Sequence, residues 1–181
     1  MSTNFLAQYQ EFCASPLRTK EDVAAEFEEL RRNANITQFV FHKPHILAIK
    51  TKPLFISWEG VDYEIGEFVI FFIRKREGRV WETGFRISNV TGAILDENQD
   101  EKEMGCYVHP HVILSDYEDI SFPVGELCIS EGQYVIYQSL RKGFVNKAFS
   151  HLWRALQTYG TGQPFLPLEN WPHASRENNH D

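Results

Sequence analysis

Several kinds of residue and pattern are scarce in this chain, and their scarcity narrows the class of protein. The sequence has three cysteines and no closely spaced cysteine pair, which fits a reducing cytosol better than a disulfide framework. The longest apolar run, residues 68–73, is far too short to cross a bilayer. We therefore expect a soluble, unexported, cytoplasmic protein without a membrane partner.

Concentrated basic charge is also lacking. The chain has 18 Lys and Arg against 25 Asp and Glu, a formal net charge of −7, and its basic residues cluster only at 74–76 and 141–142. A nucleic-acid partner normally demands a concentrated basic face, so we expect none. Glycine-rich phosphate loops and the Gly-x-Ser-x-Gly elbow of hydrolases are absent, and we expect no cofactor.

Apolar and aromatic residues are abundant enough for one core. The 181 residues are 43% hydrophobic and 14% aromatic, which suffices for a single sizeable domain but not for two. We assign residues 1–18 to an N-terminal helical extension, 19–172 to the single domain and 173–181 to a disordered tail.

Helical periodicity marks both ends of the chain. Phe5, Tyr9 and Phe12 share one helical face before Ser15-Pro16 interrupts it. Thr19 is a plausible N-cap for a second amphipathic helix. After residue 130 the helical period returns, and Gly143 is a candidate break between two helices. The apolar stripe of this last region comprises Ile136, Leu140, Phe144, Ala148, Leu152 and Leu156.

Residues 36–88 are rich in β-formers. Turn signals at 43–44, 59–60 and 77–78 predict an antiparallel meander. The run 68–73 lacks polar alternation, which predicts a central strand that is covered on both faces. Residues 89–105, with the acidic stretch 96–103, predict an exposed loop. The fold class that these patterns predict is α+β.

The segment 106–132 is not explained by packing, and we expect it to be irregular and to carry the chemistry. Cys128 lies between Gly125, which permits a turn, and a polar stretch, so an exposed thiol is plausible. A thiolate is the strongest nucleophile available near neutral pH, and it needs a neighbour that orients it or favours its charge. His109 and His111 could be that neighbour, or could donate to an oxyanion.

Two motifs in this segment resemble those of ubiquitin-conjugating enzymes, in particular divergent bacterial members of that superfamily. Residues 107–112, Tyr-Val-His-Pro-His-Val, are similar to the hydrophobic-His-Pro-Asn-hydrophobic motif, and residues 125–129, Gly-Glu-Leu-Cys-Ile, are similar to the Gly-x-x-Cys-hydrophobic active site. The close of the chain, 159–171, also resembles bacterial members. The resemblance implies a helix, a four-stranded antiparallel meander, an active-site loop and C-terminal helices.

The resemblance further implies an acyl carrier. Cys128 would accept the C-terminal glycine of a ubiquitin-like protein from an adenylating activating enzyme, and would pass it to an amine of a protein target. His109 would set the geometry of the loop, and His111, which replaces the family's Asn, would contact the oxyanion. A carboxylate, for which we choose Asp119 over Asp116 and Glu118, would orient the amine. Some bacterial sets of such proteins act against phages.

Two other functions use the same residues. His109-x-His111 with Asp116, Glu118, Asp119 or Cys128 could bind zinc in a hydrolase, although the spacing differs from that of the JAB-type metalloproteases. Alternatively, the chain could be a non-catalytic interaction module of ubiquitin-conjugating fold in which Cys128 is only a buried apolar residue.

Overall fold

The computed structural model describes residues 3–90, 94–95, 106–107, 109–127, 130–159, 167–171 and 174. Within these ranges the chain forms four helices and antiparallel sheets, which confirms the α+β class. In chain order the elements are α1 (Thr3–Phe12), α2 (Lys20–Arg31), β1 (Ile36–Lys43), β2 (Ile46–Thr51), β3 (Leu54–Trp58), β4 (Val61–Gly66), β5 (Phe68–Glu77), β6 (Val80–Asn89), β7 (Ile94–Leu95), β8 (Cys106–Tyr107), β9 (Val112–Tyr117), β10 (Ile120–Leu127), α3 (Ser130–Arg141), α4 (Val145–Gln157) and a short 3-10 turn, Leu168–Asn170.

Two helix boundaries lie where the sequence predicts, at the start of α2 and between α3 and α4. Thr19 caps α2 through a capping box, in which its hydroxyl accepts from the Asp22 N–H and the Asp22 carboxylate accepts from the Thr19 N–H. Gly143 separates α3 from α4 with φ 77°, a left-handed conformation that favours glycine. No helix in the described ranges is long and apolar enough to cross a membrane.

The main sheet is larger than the predicted four-stranded meander. It has six strands in the order β1-β2-β5-β6-β10-β9, and the β3–β4 hairpin pairs separately from it. The three predicted turns do connect β1 to β2, β3 to β4 and β5 to β6. The prediction of consecutive neighbours was wrong because β3 and β4 have a buried face of their own, which packs into the core through Leu54, Ile56, Tyr63 and Ile65.

The helices cover the inner face of the sheet. Leu47 of β2, Phe72 of β5 and Phe85 of β6 are fully buried there, in one cluster with the apolar stripe of α4. Tyr9 and Phe12 of α1 are buried in the same cluster, so the segment assigned as an N-terminal extension contributes to the core. Burial of such side chains stabilises the fold by about 1.5–3 kcal/mol each.

A second apolar group, the outer cluster, lies on the opposite face of the sheet. Strand β10 is three strand spacings from β2 in the sheet order, which is ~14 Å along a flat sheet. Contact between these strands therefore requires the β9–β10 hairpin to fold over the outer face. The run 68–73 is consequently covered on both faces, as predicted. The outer cluster comprises Ile46, Ala48, Phe71, Ile73, Ile120 and Val124.

The segment 106–132, predicted to be irregular, is instead largely regular. Its described part contains β8, the β9–β10 hairpin and the beginning of α3. Pro123 lies inside β10, in the stretch where the register with β9 shifts, so its missing N–H breaks no regular ladder. Gly125 forms no turn: it pairs with Leu114 of β9 and with Ile87 of β6. The expectation of a turn at Gly125 was therefore wrong.

Candidate functional site

His109 is fully buried and holds the turn that precedes β9. Its Nε2 lies 2.8 Å from the carbonyl oxygen of Leu156 in the last turn of α4. Its Nδ1 accepts a hydrogen bond of 3.1 Å from the backbone N–H of His111. Because Nδ1 is the acceptor, the proton belongs on Nε2, which donates to Leu156. One partner in α4 and one partner within the turn thus fix this imidazole.

The buried environment keeps the His109 imidazole neutral. Burial lowers the pKa of His109 from its usual 6.5 to about 3, against a smaller opposing effect of the hydrogen bond to Leu156. A second bond, of 3.0 Å from the Val112 N–H to the His109 carbonyl oxygen, closes the turn into β9. The two bonds within residues 109–112 hold this backbone in a turn.

His111 is half-buried, and it faces the end of α4. Its ring centroid lies 5.6 Å from that of Tyr159, which in turn lies 4.9 Å from that of Trp58. Burial lowers the pKa of His111, so this imidazole is also neutral near pH 7. Its Nε2 is buried, and no group among the described residues forms a hydrogen bond with it. His111 thus has a ring nitrogen that could serve another group.

The end of β10 lies beside this turn. Leu127 pairs with Val112, so the last residue of β10 is opposite the first residue of β9. The Gln133 side-chain amide donates to the Leu127 carbonyl oxygen and ties the strand end to α3. Cys128 follows Leu127 directly, but Cys128 itself lies outside the described residues.

Sequence reasoning missed a charged pair at the base of the hairpin. Arg86 of β6 lies 2.6 Å from a carboxylate oxygen of Glu126, two residues before Cys128. The Arg86 guanidinium also lies over the Tyr117 ring, 5.2 Å from its centroid. Its partner belongs to a strand that the sequence did not predict.

Asp119 lies at the far end of the hairpin, in the turn between β9 and β10. Strand β10 has eight residues, which separates its two ends by ~23 Å at about 3.3 Å per residue. The structure therefore does not bring Asp119 together with His109 and His111. Exposed Glu118 shares the same turn, and the side chain of Asp116 lies outside the described residues.

The surroundings of Asp119 are basic. Its carboxylate contacts the Lys43 ammonium and lies 2.9 Å from Nε2 of His45, and its carbonyl oxygen lies 3.0 Å from Nε2 of His42. Hydrogen bonds from Lys43 and then His45 lower the pKa of Asp119. The carboxylate is thus already paired with the β1–β2 turn.

Metal binding has little support in the described part of the chain. No group of three or more His, Cys, Asp or Glu side chains there is placed to hold a metal ion. In addition, both ring nitrogens of His109 already have backbone partners. Zinc ligation by His109 would require the hydrogen bond at the ligating nitrogen to break.

No protein family, curated protein or solved structure matches the chain. The chemistry of the site therefore rests on its own geometry and on the motifs in the sequence.

Proposed function

We propose that the chain is an acyl carrier of the ubiquitin-conjugating type, with Cys128 as its nucleophile. The observation that supports this most is the pairing of Leu127 with Val112. If that antiparallel register continues by one residue, Cys128 comes opposite His111. The two motifs of the resemblance, which are separated in sequence, would then meet at the base of one hairpin.

The first step would be transthioesterification. The Cys128 thiolate attacks the thioester carbonyl that joins a ubiquitin-like protein to its activating enzyme. A new S–C bond forms, and the S–C bond to the enzyme's cysteine breaks and releases that thiolate. The proton of the Cys128 thiol leaves to solvent or to a base before the attack.

The second step would transfer the acyl group to an amine of a protein target. The amine attacks the Cys128 thioester, a C–N bond forms, the C–S bond breaks, and the amine loses a proton. The oxygen of the tetrahedral intermediate carries negative charge, which an N–H donor stabilises. A neutral imidazole has one N–H, and His111, with its lowered pKa and unpartnered Nε2, suits this role.

His109 would act through the geometry of the turn. Its hydrogen bonds to Leu156 and to the N–H of His111 fix the backbone that carries His111. In this proposal His109 is a positioning residue and not an acid or base. Its pKa of about 3 supports this, because an imidazole with so low a pKa does not take up a proton near pH 7.

Trapping of the acyl adduct tests the proposal. Incubation with the cognate activating enzyme, ubiquitin-like protein and ATP should give an adduct that thiols cleave. Cys128→Ser should convert it to a thiol-resistant ester, and Cys128→Ala should abolish it. Cys13→Ala is the matched control, because Cys13 is buried and burial raises the pKa of its thiol to about 12. An adduct that persists in Cys128→Ala would refute the proposal.

A further inference from the structure

The tip of the β9–β10 hairpin is attached to the far end of the sheet. Asp119 binds Lys43 and His45 through its carboxylate, across 76 and 74 residues of sequence. His42 contacts the carbonyl oxygen of the same residue. All three partners belong to β1 or to the turn that follows it. Asp119 alone therefore joins the tip of the hairpin to this part of the sheet by three polar contacts.

The body of the hairpin lies on the outer cluster between this tip and the base. Ile120 and Val124 are buried against Ile46, Phe71 and other residues of β2 and β5. At the base, in the described ranges, β10 pairs with β6 only between Gly125 and Ile87. The Arg86–Glu126 ion pair joins the same two strands, so the hairpin is attached to the main sheet at its base and, through Asp119, at its tip.

We infer that Asp119 is a positioning residue, whose attachment to Lys43 and His45 orders the base of the hairpin as well as its tip. For catalysis this inference rests on the proposed function, because the base carries His111 and leads into Cys128. The structural link from the tip to the base does not depend on the proposed function. Asp119, which the sequence suggested as the carboxylate near the amine, would serve the reaction from the opposite end of the hairpin.

A register shift lies between the tip and the base of the hairpin and could separate the motions of its two ends. Pairing is regular from Val124 with Ser115 to Leu127 with Val112, but it is interrupted between Ile120 and Val124. If the interruption uncouples the two ends, Asp119 orders only the tip. If packing on the outer cluster bridges it, loss of the Asp119 contacts loosens the whole hairpin.

Amide hydrogen exchange of the isolated protein distinguishes these cases. Asp119→Asn should accelerate exchange about two- to fivefold, the range of one partly exposed ion pair, at the tip and also at the His111 and Val112 amides. Both of these amides are bonded to His109. Glu118→Gln, in the same turn, should leave the rates at wild-type values. The exchanged pair Lys43→Asp with Asp119→Lys should restore protection.

Unchanged His111 and Val112 amides in Asp119→Asn, with faster exchange confined to residues 117–120, would overturn the inference. The experiment needs no partner protein, so its result does not depend on thioester formation. Where the thioester forms, its discharge to a free amine should slow about two- to fivefold in Asp119→Asn and not in Glu118→Gln. A wild-type discharge rate in Asp119→Asn would contradict the catalytic part.

Discussion

At the scale of single residues, His109 shows how a buried polar group becomes a fixed part of the structure. Its imidazole satisfies the Leu156 carbonyl oxygen and the His111 N–H. A buried polar group without a partner costs about 1–3 kcal/mol. The resemblance in the sequence suggested that His109 sets loop geometry, whereas its partner in α4 could not be predicted, because no local pattern joins residues 109 and 156.

Removal of the His109 imidazole should destabilise the protein strongly. His109→Ala leaves one buried and one partly buried backbone group unpaired and creates a cavity, so we expect the free energy of unfolding to fall by about 3 kcal/mol. His151→Ala, at an exposed position of α4, should change it by less than about 0.5 kcal/mol. Urea unfolding of both variants measures this. Equal stabilities of the two variants would show that His109 has no structural role.

His109 should also make stability depend on pH in a defined direction. Its pKa is about 3 in the folded protein and about 6.5 in an unfolded chain. Above pH 6.5 both states are neutral, and the full stabilisation is present. Between pH 6.5 and 3 the unfolded chain takes up a proton that the folded protein refuses, so stability is lost as the pH falls.

The difference in unfolding free energy between wild type and His109→Asn should therefore shrink below pH 6.5, by at most ~1.4 kcal/mol per pH unit. Urea unfolding at several pH values between 4.5 and 7.5 measures it. A difference that is constant over this range would mean that the folded protein protonates His109 as readily as the unfolded chain does.

At the scale of secondary-structure elements, local signals located the helices and missed the β9–β10 hairpin. The hydroxyl of Thr19 and the missing side chain of Gly143 act within a few residues, so their effects can be predicted from sequence. The hairpin depends on burial of Ile120 and Val124 against β2 and β5, and on Asp119 meeting Lys43. Such contacts between distant residues leave no periodic pattern in the sequence.

The joint between α3 and α4 provides an element-scale prediction. Gly143 has φ 77°, and a Cβ there would lie 2.2 Å from the carbonyl oxygen of Cys13, which cannot move freely. We expect Gly143→Ala to lower the free energy of unfolding by about 3 kcal/mol or more, through strain and a backbone clash. Gly78 has φ 61° and open space around it, so Gly78→Ala should cost about 1 kcal/mol.

Thermal or urea unfolding measures the loss of unfolding free energy in Gly143→Ala and in Gly78→Ala. Because both positions require a left-handed backbone, the difference between them isolates the contact of α1 with the α3–α4 joint. Equal losses of stability would show that this contact is loose. The Arg74 guanidinium supports the same region, since it donates to the carbonyl oxygens of Ala14 at 2.7 Å and Leu140 at 2.8 Å.

At the scale of the whole molecule, one sheet is buried on both faces by different means. Helices cover the inner face, and the chain's own hairpin covers the outer face. The α+β class followed from the order of helical and strand patterns, but the folding of the hairpin over the sheet did not. This fold sets the proposed site at the base of that hairpin, beside the end of α4, because His109 and Leu127 lie there.

The proposed function requires Cys128 and His111 to lie opposite each other at the base of the hairpin. A disulfide bond forms only where two Cα atoms lie within about 7 Å, so cross-linking tests it directly. In a background of Cys13→Ala and Cys106→Ala, mild oxidation of His111→Cys should join residues 111 and 128 within one chain, whereas Asp119→Cys should not. Peptide mapping by mass spectrometry measures both. A link from residue 119 and none from residue 111 would contradict the account.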